Sequence, residues 1–388
     1  MPMVKIVYVI NHPFLHGSNR SLLNLIEGLN SKAIIPFVIM AMEGDICIKL
    51  KEIKVPYKVV PHQFCIYPDL PCKSFKNFIF FVPRLFLTIF KNLIATVSLV
   101  RIAKEFHADI IHTNIGPDFI GYFTARVLGI PHVWHIREYH DLHYHWHIIP
   151  SKRNFIKKLK KRGNYPVAIS HGLFEHYKMA SNGRVIYNGI YKKNQTRFNS
   201  EKSKFFLFVG RLEFIKGIEQ VLEAFFEFAR TNYDYKLKIA GDGNEQYKAL
   251  LLKKVNTIGF SERIDFLEFK YDIDELMANA TALIVASSHE GFGRVTAEAM
   301  FNGCLVVGLN SGGTKEILEK DNLGLLYHNH NELVSIMNTI VSKGINKYFP
   351  IIQKAQKKAL ELYSVEKNII AFQNMYTEIL NNNQHTDQ

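Results

Sequence analysis

Short apolar runs recur along the first half of the chain, and longer stretches with helical spacing separate them. The runs are rich in Val, Ile and aromatic residues and read "VKIVYVI", "IIPFVIMA", "YKVV", "ADIIHTN", "PHVWHIR", "PVAIS" and "RVIYNG". The intervening stretches include "SLLNLIEGL" and "DFIGYFTARVLG". Runs that are apolar throughout are typical of strands buried on both faces, so this alternation predicts parallel βα units.

A polar stretch, "YKKNQTRFNSEKSK" at 191–204, interrupts this rhythm, which then restarts with "FFLFVGR", "YKLKIAG", "RIDFLEF", "ATALIVASS" and "CLVVGLN". At 388 residues the chain exceeds what one hydrophobic core usually serves. We therefore predict an α/β protein with two Rossmann-like domains whose parallel sheets face a central cleft. The predicted boundaries are 1–190, a linker at 191–204, 205–365, and a C-terminal helix at 366–388 that packs back on the first domain and ends in a polar tail.

The charge is unevenly distributed between the two halves. The net charge is +13, with 24 basic minus 11 acidic residues in 1–190 and 24 minus 24 in 191–388. A basic half beside a neutral one favours an anionic surface, such as phospholipid or a phosphorylated acceptor, over nucleic acid. The four cysteines form no C-x-x-C pair and the first apolar run is too short for a signal sequence, so we expect a cytoplasmic protein.

Two stretches of the first half combine apolar and basic residues. Ser74 to Val100 is dense in Phe, Leu and Ile but carries charges, and we expect Pro83 to break it. Ser151 to Asn164 sets Phe155, Ile156 and Leu159 against seven Lys and Arg. Each stretch fits a helix lying on an anionic membrane, and each also fits an ordinary core helix with a solvated face.

The segment "SSHEGFGRVTAEAM" follows an apolar run and carries two carboxylates. Glu290 ends the predicted strand and Glu298 lies eight positions later, while Gly291 and Gly293 permit a turn before a helix from Arg294. Free N–H groups at a helix start attract phosphate, whereas carboxylates accept hydrogen bonds from hydroxyls. A sugar nucleotide offers both groups. Taken singly, either glutamate is equally explained as a solvated charge favourable to the helix dipole.

Other strand ends offer cations and glycines. Arg211 and Lys216 in "VGRLEFIKG" could clamp a diphosphate, or each could be a solvated surface charge. Supporting glycines and an aspartate lie at comparable strand ends: Gly17, Gly210, Gly241 and Asp242. These glycines permit close approach of the backbone to a ligand, although each also fits a plain turn.

Two further patterns resemble metal sites. Asp272 and Asp274 form a D-x-D pattern directly before a predicted helix, and we interpret them as helix caps. His140, His143, His145 and His147 match no closed zinc site, and we interpret them as part of a mobile loop on the acceptor side. No metal is therefore expected.

The ordered motifs "HGSNRSL", "VWHIRE", "VIYNGI", "VGRLEFIKG", "GDG" and "EGFGRVTAEAMFNGCLVVGLNSGGTKEIL" resemble glycosyltransferase family 4, retaining nucleotide-sugar enzymes with the GT-B fold. The resemblance implies that Glu290 binds the donor sugar, Glu298 the ribose, and Arg211 and Lys216 the diphosphate. It places the backbone of Gly291, Phe292, Gly293, Arg294 and Val295 around the donor, with Gly17, Gly210, Gly241 and Asp242 nearby. His135 of "VWHIRE" would face the donor sugar, as a neutral hydrogen-bonding imidazole or as a cation.

The implied activity is retaining transfer of a hexosyl group from a UDP- or GDP-sugar, without a metal or other cofactor, to a saccharide or lipid-linked acceptor in bacterial cell-surface polysaccharide synthesis. The first domain would hold the acceptor and the second the nucleotide sugar. We expect a peripheral location on the inner face of the cell membrane, an anionic membrane surface as partner, and no nucleic acid. The alternatives are a nucleotide-sugar epimerase of the same fold and a non-catalytic membrane- or nucleic-acid-binding protein.

Overall fold

Strands alternate with helices along the chain in the computed structural model, which describes residues 3–15, 17–30, 34–67, 75–143, 146–267 and 273–384. The strands are β1 (Val4–Ile10), β2 (Ile34–Met40), β3 (Tyr57–Val59), β4 (Ile66–Tyr67), β5 (Ile110–Thr113), β6 (His132–Ile136), β7 (His147–Ile148), β8 (Asn164–Ala168), β9 (Arg184–Val185), β10 (Phe205–Val209), β11 (Lys236–Ala240), β12 (Ile264–Leu267), β13 (Ala282–Val285), β14 (Val306–Leu309) and β15 (Leu325–Tyr327).

The helices follow the same chain order. They are α1 (Gly17–Asn30), α2 (Asp45–Glu52), α3 (Phe75–Phe106), α4 (Ile120–Leu128), α5 (His140–His143), α6 (Lys152–Leu159), α7 (His171–His176), α8 (Ile218–Phe228), α9 (Glu245–Ile258), α10 (Asp274–Asn279), α11 (Arg294–Phe301), α12 (Gly312–Glu319), α13 (His330–Lys343), α14 (Phe349–Tyr363) and α15 (Val365–Gln384). Two 3₁₀ turns cover Phe214–Lys216 and Ile345–Tyr348.

The chain folds as two units. The first unit consists of the chain up to Gly189 and the chain from Val365 onward, so that α15 belongs to it. The second unit is Ile190–Ser364. The stretch 191–204, which its composition sets apart as a linker, hydrogen-bonds within the second unit. The backbone N–H of Arg197 donates to the Phe301 carbonyl, and that of Ser203 donates to the Asn279 carbonyl.

The first unit is a parallel sheet in the order β3-β2-β1-β5-β6-β8-β9 with a helical layer on each face. Alternate residues of a strand point to opposite faces. Tyr8 packs with side chains of α1, α2 and α15 on one face, whereas Val7 and Val9 pack with side chains of α3 and α4 on the other. Trp134 of β6 lies on the α3 and α4 face, and Phe155 of α6 packs edge-on against it with ring centroids 4.8 Å apart. Helices α3, α4 and α6 therefore share one layer.

The second unit has a parallel sheet in the order β12-β11-β10-β13-β14-β15. This is the doubly wound order, in which the chain reverses direction across the sheet between its first and fourth strands, β10 and β13. Its core packs α8 and α13 against these strands. The predicted α/β class with two Rossmann-like parallel sheets is confirmed.

The structure contradicts the predicted break at Pro83 and favours the core-helix interpretation for Ser151 to Asn164. Pro83 does not break α3, which continues through it. A proline leaves the carbonyl four residues before it without its helical partner, and water can satisfy that group here because Pro83 is exposed. In α6, Phe155 and Leu159 are fully buried, so this helix turns its apolar side to the core and its basic side outward.

Two local interpretations are also wrong. Asp274 does not cap a helix: its carboxylate accepts hydrogen bonds from the Tyr191 hydroxyl and from Asn302 Nδ2. His140 lies not in a mobile loop but buried at the start of α5, and its burial lowers its pKa to about 4. Asp272 and His145 lie outside the described residues, as does the side chain of His143.

Candidate functional site

A pocket opens at the carboxyl edge of the second sheet, beside the adjacent strands β10 and β13. In a doubly wound sheet this switch point is where ligands bind, because the loops after the two strands diverge there. The pocket is lined by Phe208, Val209, Gly210, Lys216, Ile284, Val285, Ala286, Ser287, Glu290, Gly293, Val295 and Thr296. Five of the residues singled out from sequence, among them Lys216 and Glu290, thus meet in one cavity.

Lys216 ends the 3₁₀ turn that follows β10, and the close packing of the next residue, Gly217, sets the position of Lys216. Gly217 has φ +73°, and a Cβ there would lie 2.5 Å from the Ala286 carbonyl oxygen at the end of β13. Only glycine lets the turn pack this closely. Lys216 Nζ consequently lies 2.5 Å from Glu290 Oε1, with each side chain about one-fifth exposed. The pocket therefore presents a cation and a carboxylate side by side.

The loop that carries Glu290 rests on the start of α12. The Gly313 N–H donates to the Glu290 carbonyl at 2.8 Å. A Cβ on Gly313 would lie 2.2 Å from the carbonyl carbon and oxygen of Phe292, and one on Gly312 would lie 2.9 Å from the Glu290 backbone. Two consecutive glycines are thus needed for the backbones of the two loops to touch.

Helix α11 begins at Arg294, as the sequence predicts, and its first turn borders the pocket. Gly293 precedes it with φ +88°, and no side chain caps the helix. The first N–H groups of such a helix have no intrahelical partner and favour an anion. Glu298, one turn into α11, is buried, and its Oε1 accepts a hydrogen bond from Arg294 Nε at 2.7 Å. Burial and then the Glu298 charge raise the pKa of the nearby Tyr191.

The remaining candidates of the second unit lie around the pocket rather than in its lining. Arg211 is half exposed, with Nη1 3.0 Å from Glu213 Oε1. Gly241 touches the backbone of the β10 loop, since a Cβ there would lie 1.9 Å from the Gly210 oxygen. Asp242 Oδ1 accepts from the Gly243 N–H at 2.8 Å. The Phe292 ring is buried against Tyr363, which leaves its backbone as the part available to a ligand.

Gly17 and His135 belong to the first unit. Gly17 begins α1, directly after the loop that follows β1. His135 is buried on β6, and burial, Arg137 and His112 hold its pKa well below 6.5, so the imidazole is neutral at pH 7. Its Nδ1 accepts from Arg137 Nη2 at 3.3 Å. The ring proton therefore lies on Nε2, which is buried and makes no hydrogen bond among the described residues.

A buried polar network holds His135, and sequence reasoning missed its other members. Arg137 Nε donates to the Asn114 carbonyl at 3.0 Å, and its Nη1 donates to Asn188 Oδ1 at 2.7 Å. His112 Nε2 lies 3.3 Å from His135 Nδ1, and the hydroxyl of Tyr376 on α15 lies 2.6 Å from His112 Nδ1. The available signal was the polar residue directly after each of two strands, Asn114 after β5 and Arg137 after β6.

The described residues contain no group of three or more His, Cys, Asp and Glu side chains placed to hold a metal ion. Residues 191–358 match the family model for glycosyl transferases group 1. These residues make up nearly all of the second unit and fewer than half of the chain. The matched residues include the pocket, Lys216, Glu290 and α11, whereas His135 lies in the first unit, outside them.

Two relatives extend the similarity beyond this domain. The N-acetyl-alpha-D-glucosaminyl L-malate synthase of Bacillus anthracis is 24% identical over 247 residues, which are 60% of this chain and 64% of the relative. An uncharacterized glycosyltransferase of Methanocaldococcus jannaschii is 24% identical over 370 residues, which are 90% of this chain and 98% of the relative.

The fold resembles that of Alr3699/HepE from Anabaena, solved in complex with UDP. The TM-score is 0.78 with 20% identity, and the match covers 97% of this chain and 100% of that one. The same protein has also been solved with UDP-glucose. At this identity the comparison identifies the fold, which is that of the GT-B glycosyltransferases, as the sequence predicts.

Proposed function

We propose that the protein is a retaining, metal-independent glycosyltransferase that moves a hexosyl group from a UDP- or GDP-sugar to a saccharide or lipid-linked acceptor in cell-surface polysaccharide synthesis. The observation that carries the proposal is the pocket at the β10–β13 switch point. It combines the uncapped start of α11 with Lys216 and Glu290, which are in direct contact. An anion site beside a carboxylate that can accept hydrogen bonds from hydroxyl groups fits a nucleoside diphosphate joined to a sugar.

Each group has a role in the proposed reaction. The bond between the anomeric carbon and the β-phosphate oxygen breaks while a bond forms from the acceptor oxygen on the same face of the sugar, and the acceptor proton passes to a phosphate oxygen. Lys216, Arg211 and the first N–H groups of α11 stabilise the charge that develops on the diphosphate. Glu290 accepts hydrogen bonds from the sugar and Glu298 from the ribose.

The solved complexes of Alr3699/HepE with UDP and with UDP-glucose support a uridine donor as the first to test. The Bacillus anthracis relative carries N-acetylglucosaminyl in its name, which supports an amino sugar as a second donor.

A donor screen tests this function. The full-length protein is incubated with UDP- and GDP-sugars, with and without saccharide and lipid-linked acceptors, and with a chelator in parallel. We expect one donor to release its nucleoside diphosphate and one acceptor to gain a hexose in mass, with the anomeric configuration of the donor and unchanged by the chelator. Conversion of one nucleotide sugar into another, without release of the diphosphate, would instead identify an epimerase and refute the proposal.

A further inference from the structure

Helix α3 leaves a long apolar surface uncovered. Phe86, Phe90, Leu93 and Val97 follow one another at helical spacing and are 59–68% exposed. In α4, which packs beside α3, Phe123 and Val127 are also exposed. Exposed large side chains cover α3 from Ile79 onward. Ten large apolar side chains of α3, from Ile79 to Val97, are exposed. At about half exposure each, they present on the order of 900 Å² of apolar surface, above the few hundred Å² usual for the largest apolar patch on a soluble monomer.

The opposite side of α3 is packed against the first sheet. Ala95, Leu99 and Ile102 are buried together with Val7 and Ile111 of β1 and β5. Among the described residues, the segment Ile79–Phe106 is long and apolar enough to cross a membrane by length and composition alone. A helix with one side packed on a sheet cannot cross a bilayer in that state, but its uncovered side can lie on one.

Basic residues surround this apolar surface in the same helical layer. Five Lys or Arg belong to α3, one to α4 and four to α6, against a single acidic residue, Glu105. Helix α6 buries Phe155 and Leu159, so it adds charge and little apolar surface. Lys158 Nζ of α6 lies 5.8 Å from the ring centroid of Phe119, the residue immediately before α4. The basic helix α6 therefore lies next to the start of α4.

We propose that this layer, the exposed sides of α3 and α4 with the basic side of α6, docks in the plane of an anionic lipid bilayer. The apolar stripe enters the boundary between headgroups and acyl chains, and the basic side chains contact anionic headgroups. A second copy of the chain is a poor occupant, because a symmetric contact would bring two basic layers together. An anionic bilayer complements both the apolar stripe and the charge.

Vesicle co-sedimentation of the full-length protein, with no sugar donor or acceptor present, tests the proposal independently of the proposed function. We expect binding to vesicles of phosphatidylcholine mixed with phosphatidylglycerol, with much weaker binding to phosphatidylcholine alone and at high salt. Phe86→Glu and Phe90→Glu should each weaken binding on the order of tenfold, since each removes one large apolar side chain from the contact. Leu250→Glu, at an exposed apolar residue of α9 in the second unit, is the matched control and should bind like the wild type.

Two triple charge-reversal variants measure how much the basic side chains contribute to vesicle binding. Lys157→Glu combined with Lys160→Glu and Lys161→Glu should abolish the preference for anionic vesicles. The same triple change at the exposed Lys343, Lys347 and Lys357 of the second unit should leave that preference intact. Equal loss in both triples would show a non-specific charge effect and overturn the assigned surface.

Two further results would refute the proposal even where a glutamate variant folds poorly. The first is a Phe90→Trp protein that binds vesicles although the fluorescence of the introduced tryptophan neither shifts to the blue nor is quenched by brominated lipid. Leu250→Trp is the control. The second is a wild type that does not bind anionic vesicles but forms a dimer in sedimentation velocity that Phe86→Glu dissociates. That result would assign the surface to a second copy of the chain.

Discussion

Lys216→Met is the substitution whose effects on catalysis and on folding should differ most. Methionine keeps most of the side-chain length but removes the ammonium that lies 2.5 Å from Glu290 Oε1. Deleting one donor that stabilises developing transition-state charge costs about 2.7–4 kcal/mol, which is a loss of 10²–10³ in kcat. Both side chains are about one-fifth exposed, so the loss of the ion pair should cost the fold only about 1–2 kcal/mol.

The assay pairs initial rates of nucleoside diphosphate release with thermal unfolding. We expect kcat for Lys216→Met to fall at least a hundredfold while Tm falls by only a few degrees. Lys254→Met is the control, because Lys254 pairs with Glu223 at 2.8 Å in the same unit but away from the pocket. Its turnover should be unchanged. A Lys216→Met enzyme with kcat within threefold of the wild type would refute the role of Lys216 in leaving-group stabilisation.

Three further predictions address the packing, the ribose contact and the buried histidines. Gly313→Ala should cost about 1–3 kcal/mol of stability and at least tenfold in kcat/KM, because its Cβ would overlap the Phe292 backbone. Glu298→Gln should raise the donor KM about tenfold or more with a smaller change in kcat, as expected for a lost charged hydrogen bond. His132 and His140 have pKa values lowered by burial to about 4, so unfolding takes up protons below pH 6.5, and stability should fall by about 2 kcal/mol per histidine from pH 7 to 5.

Matched variants distinguish these effects from general damage. Gly259→Ala strains a positive φ without any overlap and should lower stability but not turnover. Glu319→Gln removes an i,i+4 partner of Lys315 and should leave the donor KM unchanged. Denaturant unfolding at several pH values measures the histidine effect. A stability that rises as the pH falls from 7 to 5 would show that these imidazoles are charged in the folded state.

The sequence predicted the parallel sheets and the start of α11 because both depend on local patterns. Strands buried on both faces are apolar throughout, and Gly293 before a helical pattern marks a helix start. Glu290 and Lys216 are 74 residues apart, yet each follows an apolar strand. Parallel strands end at one edge of the sheet, so their meeting in one pocket follows from the fold once the strands are assigned.

What the sequence did not predict depends on contacts between distant segments. The Tyr376 hydroxyl meets His112 from 264 residues away, and no local pattern signals such a pair. Asp274 looked like a cap because it precedes a helix, but Tyr191 and Asn302 bond its carboxylate instead. The apolar residues of α3 and of the 151–164 stretch looked equivalent, yet Phe155 and Leu159 of α6 are buried, whereas α3 buries one side against the sheet and exposes the other. Composition does not say which side of a helix faces the core.

Calorimetric titration of the full-length protein with UDP, GDP and their sugars measures occupancy of the donor pocket without requiring the acceptor. We expect one-to-one binding of at least one nucleoside diphosphate and its sugar, with the affinity reduced at least tenfold in Glu298→Gln and unchanged in Glu319→Gln. Absence of binding by every nucleotide, or binding that Glu298→Gln leaves unaltered, would contradict the assignment of this pocket to a nucleotide sugar.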